Sequence, residues 1–203
     1  MFPNDFLWGA SSSSAQIEGG YDSDGRGLSI WDVKKLNPGT CSFHYASDFY
    51  HHFKEDIALM AEMGFKTYRF SISWSRVLPQ GTGKINPKGI EFYNQLIDEC
   101  LKYNIIPFVT MFHFDMPAAL DEKGGWSCPE SVEWFLEYAR VLFKNFGDRV
   151  KYWLTINEQN MLTLAGQVIG ALHLPKGCTN EMKEIYQQNH YMLVAQAKVK
   201  IGR

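Results

Sequence analysis

Apolar positions recur along this chain in two rhythms, short runs rich in β-branched and aromatic residues and longer stretches striped every three to four residues. The short runs predict strands over 6–10, 67–71, 105–111 and from Val150 to the polar pair Asn157-Glu158. The striped stretches predict helices between them. Asp48 is placed to cap the first, in which Phe49, Phe53, Ile57 and Met60 share a face, and Gly64 supplies the left-handed stop. A second helix from Pro87 buries Ile90, Tyr93, Leu96, Ile97 and Leu101 and stops at Asn104. A third opens at Pro129 and carries Val132, Phe135, Leu136, Ala139 and Phe143 before Gly147, and a last one runs from Glu181 to Lys200. A long Gly/Ser/Asp-rich connection separates the first strand from the first helix, reaching to about Ser47. The order is four strand-then-helix units with no linker or internal repeat, so residues 1–203 are expected to form one domain.

The nearly unbroken apolar character of the third strand says that both its faces are covered, as in a parallel α/β sheet. A doubly wound sheet would carry a glycine-rich phosphate turn after an early strand, and Gly9-Ala10-Ser11-Ser12 lacks that spacing. A (β/α) barrel is therefore favoured. Barrel chemistry gathers at the C-terminal ends of the strands, and here every strand ends in polar groups: Gln16 and Glu18 after the first, Arg69 in the second, His113 and Asp115 after the third, Asn157 and Glu158 after the fourth. Glu158 is the residue of chief interest. A carboxylate delivered by a buried strand to such a rim, half shielded from water, can hold a proton long enough to donate it. The competing reading makes Asn157 and Glu158 a cap for the next helix.

Composition narrows the partners. With 45% apolar and 15% aromatic residues the chain can bury a large core, and 20 Lys plus Arg against 22 Asp plus Glu are interspersed to a net charge of −2. No basic stripe invites nucleic acid or an anionic membrane. The start Met1-Phe2-Pro3-Asn4-Asp5 has no basic region before an apolar core, and the longest apolar run, 105–114, is too short to span a bilayer, so a cytoplasmic location is expected. Cysteines 41, 100, 128 and 178 show neither metal nor disulfide-scaffold spacing and read as reduced thiols. His51 and His52, with His44 and Cys41 upstream, match no ligand pattern. No metal and no cofactor is expected.

With the four strand ends in hand, the chain resembles glycoside hydrolase family 1, the retaining β-glycosidases built on a (β/α)8 TIM barrel. The resemblance runs from Phe2-Pro3-Asn4-Asp5-Phe6-Leu7-Trp8-Gly9-Ala10 through Gln16-Ile17-Glu18-Gly19, Arg69-Phe70-Ser71-Ile72-Ser73-Trp74-Ser75-Arg76 and Pro107-Phe108-Val109-Thr110 to Asn157-Glu158. It implies that Glu158 is the general acid/base, that Gln16 and His113 bind hydroxyls of the sugar, that Asn157 bonds the 2-hydroxyl, and that Arg69 lies beneath the nucleophile. Residue chemistry alone leaves His113 open as a core histidine and Arg69 as a barrel ion-pair partner. Where common β-glucosidases carry His-Trp-Asp and Asn-Glu-Pro, this chain has His113-Phe114-Asp115 and Asn157-Glu158-Gln159, which looks like the 6-phospho-β-glucosidase branch.

A retaining mechanism needs a second carboxylate about 5 Å from the first. In the family it is the Glu of a Glu-Asn-Gly motif on the seventh strand, and no Glu-Asn-Gly occurs in this sequence. Only the N-terminal half of the barrel is expected, four βα units, with the first and fourth strands as open edges and interior side chains such as Phe70 and Val109 facing water. Such a chain is expected to need a missing C-terminal half, or to self-associate, and to be inactive alone on its β-glucoside or 6-phospho-β-glucoside. A non-catalytic half-barrel module, or an inverting hydrolase pairing Asp115 with Glu158, are the other readings.

Overall fold

The computed structural model describes residues 2–36 and 38–201. Four strands, β1 (Gly9–Ser11), β2 (Thr67–Ser71), β3 (Ile106–Phe112) and β4 (Tyr152–Ile156), form one sheet in the order β1-β2-β3-β4 with every pair parallel. The helices α1 (Phe49–Glu62), α2 (Pro87–Lys102), α3 (Ser131–Phe146), α4 (Gln159–Ile169) and α5 (Glu181–Ile201) complete the repeating pattern. Strand order equal to chain order is what successive right-handed βα crossovers produce, and it is the arrangement of half a (β/α)8 barrel. Among the described residues, β1 and β4 each have one hydrogen-bonded neighbour and no helix is long and apolar enough to cross a membrane.

Local chemistry fixes the element ends. Pro87 opens α2 behind Asn86, whose side-chain oxygen accepts the Lys88 amide. Gly64 turns the chain out of α1 at φ +82, with the Phe65 amide reaching back to the Met60 carbonyl. Asp48 does not cap α1 as expected: its backbone is left-handed, φ 52, and its carboxylate takes the His51 ring nitrogen at 2.5 Å instead of a helix amide. The first strand is shorter and later than expected. The Phe6 amide turns back to the Pro3 carbonyl, and Phe2, Phe6 and Trp8 gather into an exposed aromatic cluster before pairing begins.

The side-chain alternation also reverses one expectation. Phe70 and Val109 are buried because they face the helices, as does Tyr68, whose ring meets Phe49 at 6.2 Å. The opposite rows of β2 and β3 bear Arg69, Phe108 and Thr110, and register places Tyr152 beside Phe108 on that face. Tyr152 is among the exposed aromatics, so water reaches the inner wall there. Beside β4, a groove of about 350 Å³ lined by Trp153, Leu154, Ile156 and Val199 marks the side on which a further strand would pair.

Two helix tyrosines reach back to satisfy backbone groups that the strands leave at their ends. The Tyr138 hydroxyl contacts the Ile72 and Met111 carbonyls at 3.0 Å each, and the Tyr93 oxygen accepts the Ser73 amide at 2.7 Å. Tyr93 in turn donates to Glu18 Oε1 at 2.6 Å, while Arg76 Nε donates to Glu18 Oε2 at 3.0 Å. Both charges of that pair are buried, with Arg76 also giving Nη2 to the Gly19 and Gly20 carbonyls and lying 4.1 Å over the Tyr50 ring. It tethers the connection after β1 to the end of β2. Breaking a buried pair from one side strands the other charge, so Arg76→Met should cost about 3–5 kcal/mol of unfolding free energy. The double replacement Arg76→Met with Glu18→Leu should cost less than the single one. Urea denaturation of both variants checks the order, and a double variant weaker than Arg76→Met would contradict it.

Candidate active site

The five residues singled out by sequence line one cleft. Gln16, Arg69, His113, Asn157 and Glu158 converge at the C-terminal ends of the strands around a cavity of about 400 Å³, completed by Ser11, Ser13, Trp31, Phe43 and Phe114. Each comes from a different point of the fold: Gln16 from a helical turn, Ser14–Ile17, after β1; Arg69 from β2; His113 from just past β3; Asn157 and Glu158 from just past β4.

Arg69 sets the polarity of the cleft floor. A guanidinium has only donors, and here Nε donates to Thr110 Oγ1 at 2.9 Å and Nη2 to Asn157 Oδ1 at 2.5 Å. The Asn157 amide must therefore turn its NH2 group the other way, where it meets His113 Nε2 at 3.2 Å. A nitrogen that receives a proton donor carries no proton of its own, so the neutral imidazole bears its hydrogen on Nδ1, which is buried and has no partner among the described residues. Burial, and then the charge of Arg69, press the His113 pKa down to about 4. At neutral pH this ring is an uncharged hydrogen-bonding group. Among the described residues Arg69 makes no ion pair; it is a partly buried cation that orients Asn157.

Gln16 is exposed to the cleft, and its Oε1 accepts the Ser13 hydroxyl at 2.8 Å, which leaves the NH2 as the group presented outward. Glu158 stands at the N-cap position of α4 and also at the cavity wall. Its backbone carbonyl accepts the Met161 amide and so opens α4, yet its carboxylate makes no capping bond and lines the cavity. Its backbone is left-handed, φ 38, as is that of Phe114, φ 68. Two non-glycine residues in that region at one cleft is the kind of strain that functional sites retain. The half shielding expected of Glu158 is absent: the residue is exposed, and among the described residues β4 is the edge strand of this sheet.

Asp115 differs from all of these. It is fully buried, does not line the cavity, and burial pushes its pKa up to about 6 despite amides that favour the charged form. A carboxylate with no access to the cleft cannot serve as the second member of an inverting pair. Trp31 and Phe43, in T-shaped contact at 5.6 Å, wall the cavity from the long connection after β1. Sequence reading missed both, since an irregular segment has no periodicity to flag them.

Once this geometry is established, comparison with known proteins is specific. The family model described as Glycosyl hydrolase family 1 matches residues 1–201. A 1,4-β-D-glucan glucohydrolase of Thermotoga neapolitana is 47% identical over 210 residues, covering all of this chain and 48% of the relative. An aryl-phospho-β-D-glucosidase of Bacillus subtilis is 49% identical over 202 residues, covering 97% of this chain and 42% of the relative. Among solved structures, a family 1 β-glucosidase from Thermotoga maritima superposes with a TM-score of 0.89 at 46% identity, covering 98% of this chain and 45% of that one. The chain spans about half the length of the curated relatives it matches.

The orientation of the cleft floor is directly measurable. Nitrogen-15 NMR should show the His113 ring neutral at pH 5 with its proton on Nδ1, and Arg69→Leu should move its titration upward by removing the adjacent charge. A His113 ring already protonated at pH 6 would contradict the arrangement.

Proposed function

The chain belongs to glycosyl hydrolase family 1, and we propose that it is the acid/base-bearing half of a retaining β-glycosidase, a single domain over residues 1–203 that acts on β-glucosides when its barrel is completed. The observation that carries this reading is the convergence, in one cleft, of an uncapped Glu158 carboxylate with Asn157, His113 and Gln16 arrayed beside it. In the proposed reaction Glu158 protonates the departing glycosidic oxygen while a carboxylate from the missing half attacks the anomeric carbon. Glu158 then takes a proton from the water that releases the sugar. Gln16 and His113, which both line the cleft, bind sugar hydroxyls, and Asn157 bonds the 2-hydroxyl, a contact that tightens as the ring gains oxocarbenium character. Arg69 holds Asn157 from below and supplies positive charge for the incoming carboxylate nucleophile.

A phosphorylated substrate is the finer reading, supported by Phe114 and Gln159 at the two positions where common β-glucosidases differ. A sugar phosphate is an anion that membranes retain, so an enzyme for it works in the cytoplasm. The discriminating measurement on the completed enzyme is kcat/KM for nitrophenyl β-glucoside against its 6-phosphate: a preference of tenfold or more for the phosphate, about 1.4 kcal/mol, supports this reading, and the reverse preference overturns it.

Because among the described residues no second carboxylate lines the cleft, the 203-residue chain alone should release no nitrophenol from either substrate above buffer, and its open strand edges should drive self-association. Release that vanishes in Glu158→Gln would contradict the first statement, and a monomer by sedimentation at tens of micromolar the second. In the completed enzyme, Glu158→Ala should slow hydrolysis of substrates with poor leaving groups by about 10²- to 10⁴-fold. Dinitrophenyl substrates, whose leaving group needs no proton, should still load the enzyme, and azide should speed its release as a β-glycosyl azide. Equal impairment on both leaving groups, without azide rescue, would move the acid/base role elsewhere.

A further inference from the structure

We propose that Asp115 is a positioning residue of the sugar site: without touching substrate, its carboxylate ties the end of the first strand to the end of the third and so fixes the spacing between Gln16 and His113. The inference rests on the reading of the cleft as a glycoside site and extends it to a residue outside the cleft.

Asp115 Oδ1 accepts the backbone amide of His113 at 3.2 Å, and Oδ2 accepts the Ser14 hydroxyl at 3.3 Å. Ser14 opens the helical turn that carries Gln16. Behind it, the Ser14 amide donates to Ser71 Oγ at 2.7 Å, and the Ser71 hydroxyl donates to Ser14 Oγ at 3.1 Å. The hydroxyl protons therefore run one way, from Ser71 to Ser14 to Asp115, and end on the one group that only accepts. All three side chains are buried, so water cannot stand in for any of them. The ends of the first and third strands meet at this carboxylate, and the end of the second joins them through Ser71 and Ser14.

The chemistry of the two arms excludes the nearest substitute. Both the His113 amide and the Ser14 hydroxyl arrive as donors, and an asparagine of the same shape can accept only one of them while turning an NH2 group against the other. The bond to His113 also secures a strained turn, since Phe114 follows it in the left-handed region at φ 68. Asn157 holds the His113 ring from the far side, so Asp115 fixes the backbone and Asn157 the imidazole. Burial raises the Asp115 pKa to about 6, and the carboxylate is ionised, as the donor-only arms require, at neutral pH.

The test uses the completed enzyme with an aryl β-glucoside and the series of its monodeoxy analogues. The analogue on which His113→Ala causes no further loss identifies the hydroxyl that His113 holds. Asp115→Asn should lower kcat/KM about 10- to 100-fold on the parent substrate, the scale expected when positioning groups shift, but by less than about threefold on that analogue. Ser14→Ala, which cuts only the arm to the first strand and keeps the carboxylate, should show the same substrate dependence at about three- to tenfold, and it decides the matter should Asp115→Asn fail to fold. An equal loss on every substrate, as general destabilisation would give, or no loss at all, overturns the role of Asp115 alone. A wild-type completed enzyme without glycosidase activity overturns the underlying reading and this inference together.

Discussion

Arginine donates hydrogen bonds and accepts none, and that asymmetry orders the mouth of this sheet. Arg69 gives one nitrogen to Thr110 and another to Asn157, and from there each neighbour has a single choice left. Asn157 turns its NH2 toward His113, the imidazole accepts on Nε2, and its proton moves to Nδ1. Burial, and then the nearby positive charge, keep the ring neutral across the physiological range. One partly buried cation on β2 thus orients Asn157 after β4 and, through it, the His113 imidazole after β3.

That order would be lost if the strand ends could drift. Parallel strands leave unpaired carbonyls and amides at their tips, and here the outer helices supply the missing partners through Tyr93 and Tyr138. Glu18 and Arg76 anchor the connection after β1, and Asp115 links the tips after β1 and β3, with the β2 tip joined through Ser71 and Ser14. The half-barrel therefore has a firm rim on the side of β1 to β4 and an exposed carboxylate, Glu158, at its last strand. In the function proposed above, this donor array beside the exposed carboxylate forms one wall of the site, and the nucleophile comes from a complementary half.

Much of the fold was legible because strand and helix rhythms differ sharply. The second strand lies where alternation places it, over Thr67–Ser71, and the stops at Gly64 and Asn104 adopt the left-handed backbone that ends a helix. Helix α4 was not legible: Leu164 and Val168 sit exposed, so its apolar residues mark no single buried face. The burial of Phe70 and Val109 was misjudged for a related reason, since a strand covered on both faces shows no alternation from which to tell the helix side from the barrel side. The five cleft residues could be picked out by type and by their place at strand ends. Their partners could not. Which oxygen of Asn157 meets Arg69, or that Ser14 and Asp115 join across 101 residues, depends on geometry that no local pattern encodes.

The central claim is that Glu158 acts as acid/base while the nucleophile lies outside these 203 residues. A 2-deoxy-2-fluoro glycoside with a good leaving group stalls a retaining enzyme at its covalent intermediate, and peptide mapping by mass spectrometry locates the label. In the completed enzyme the label should fall on a carboxylate of the C-terminal half, with every peptide of residues 1–203 unmodified. A label on Glu158, or on any other residue of this chain, would contradict the division of roles.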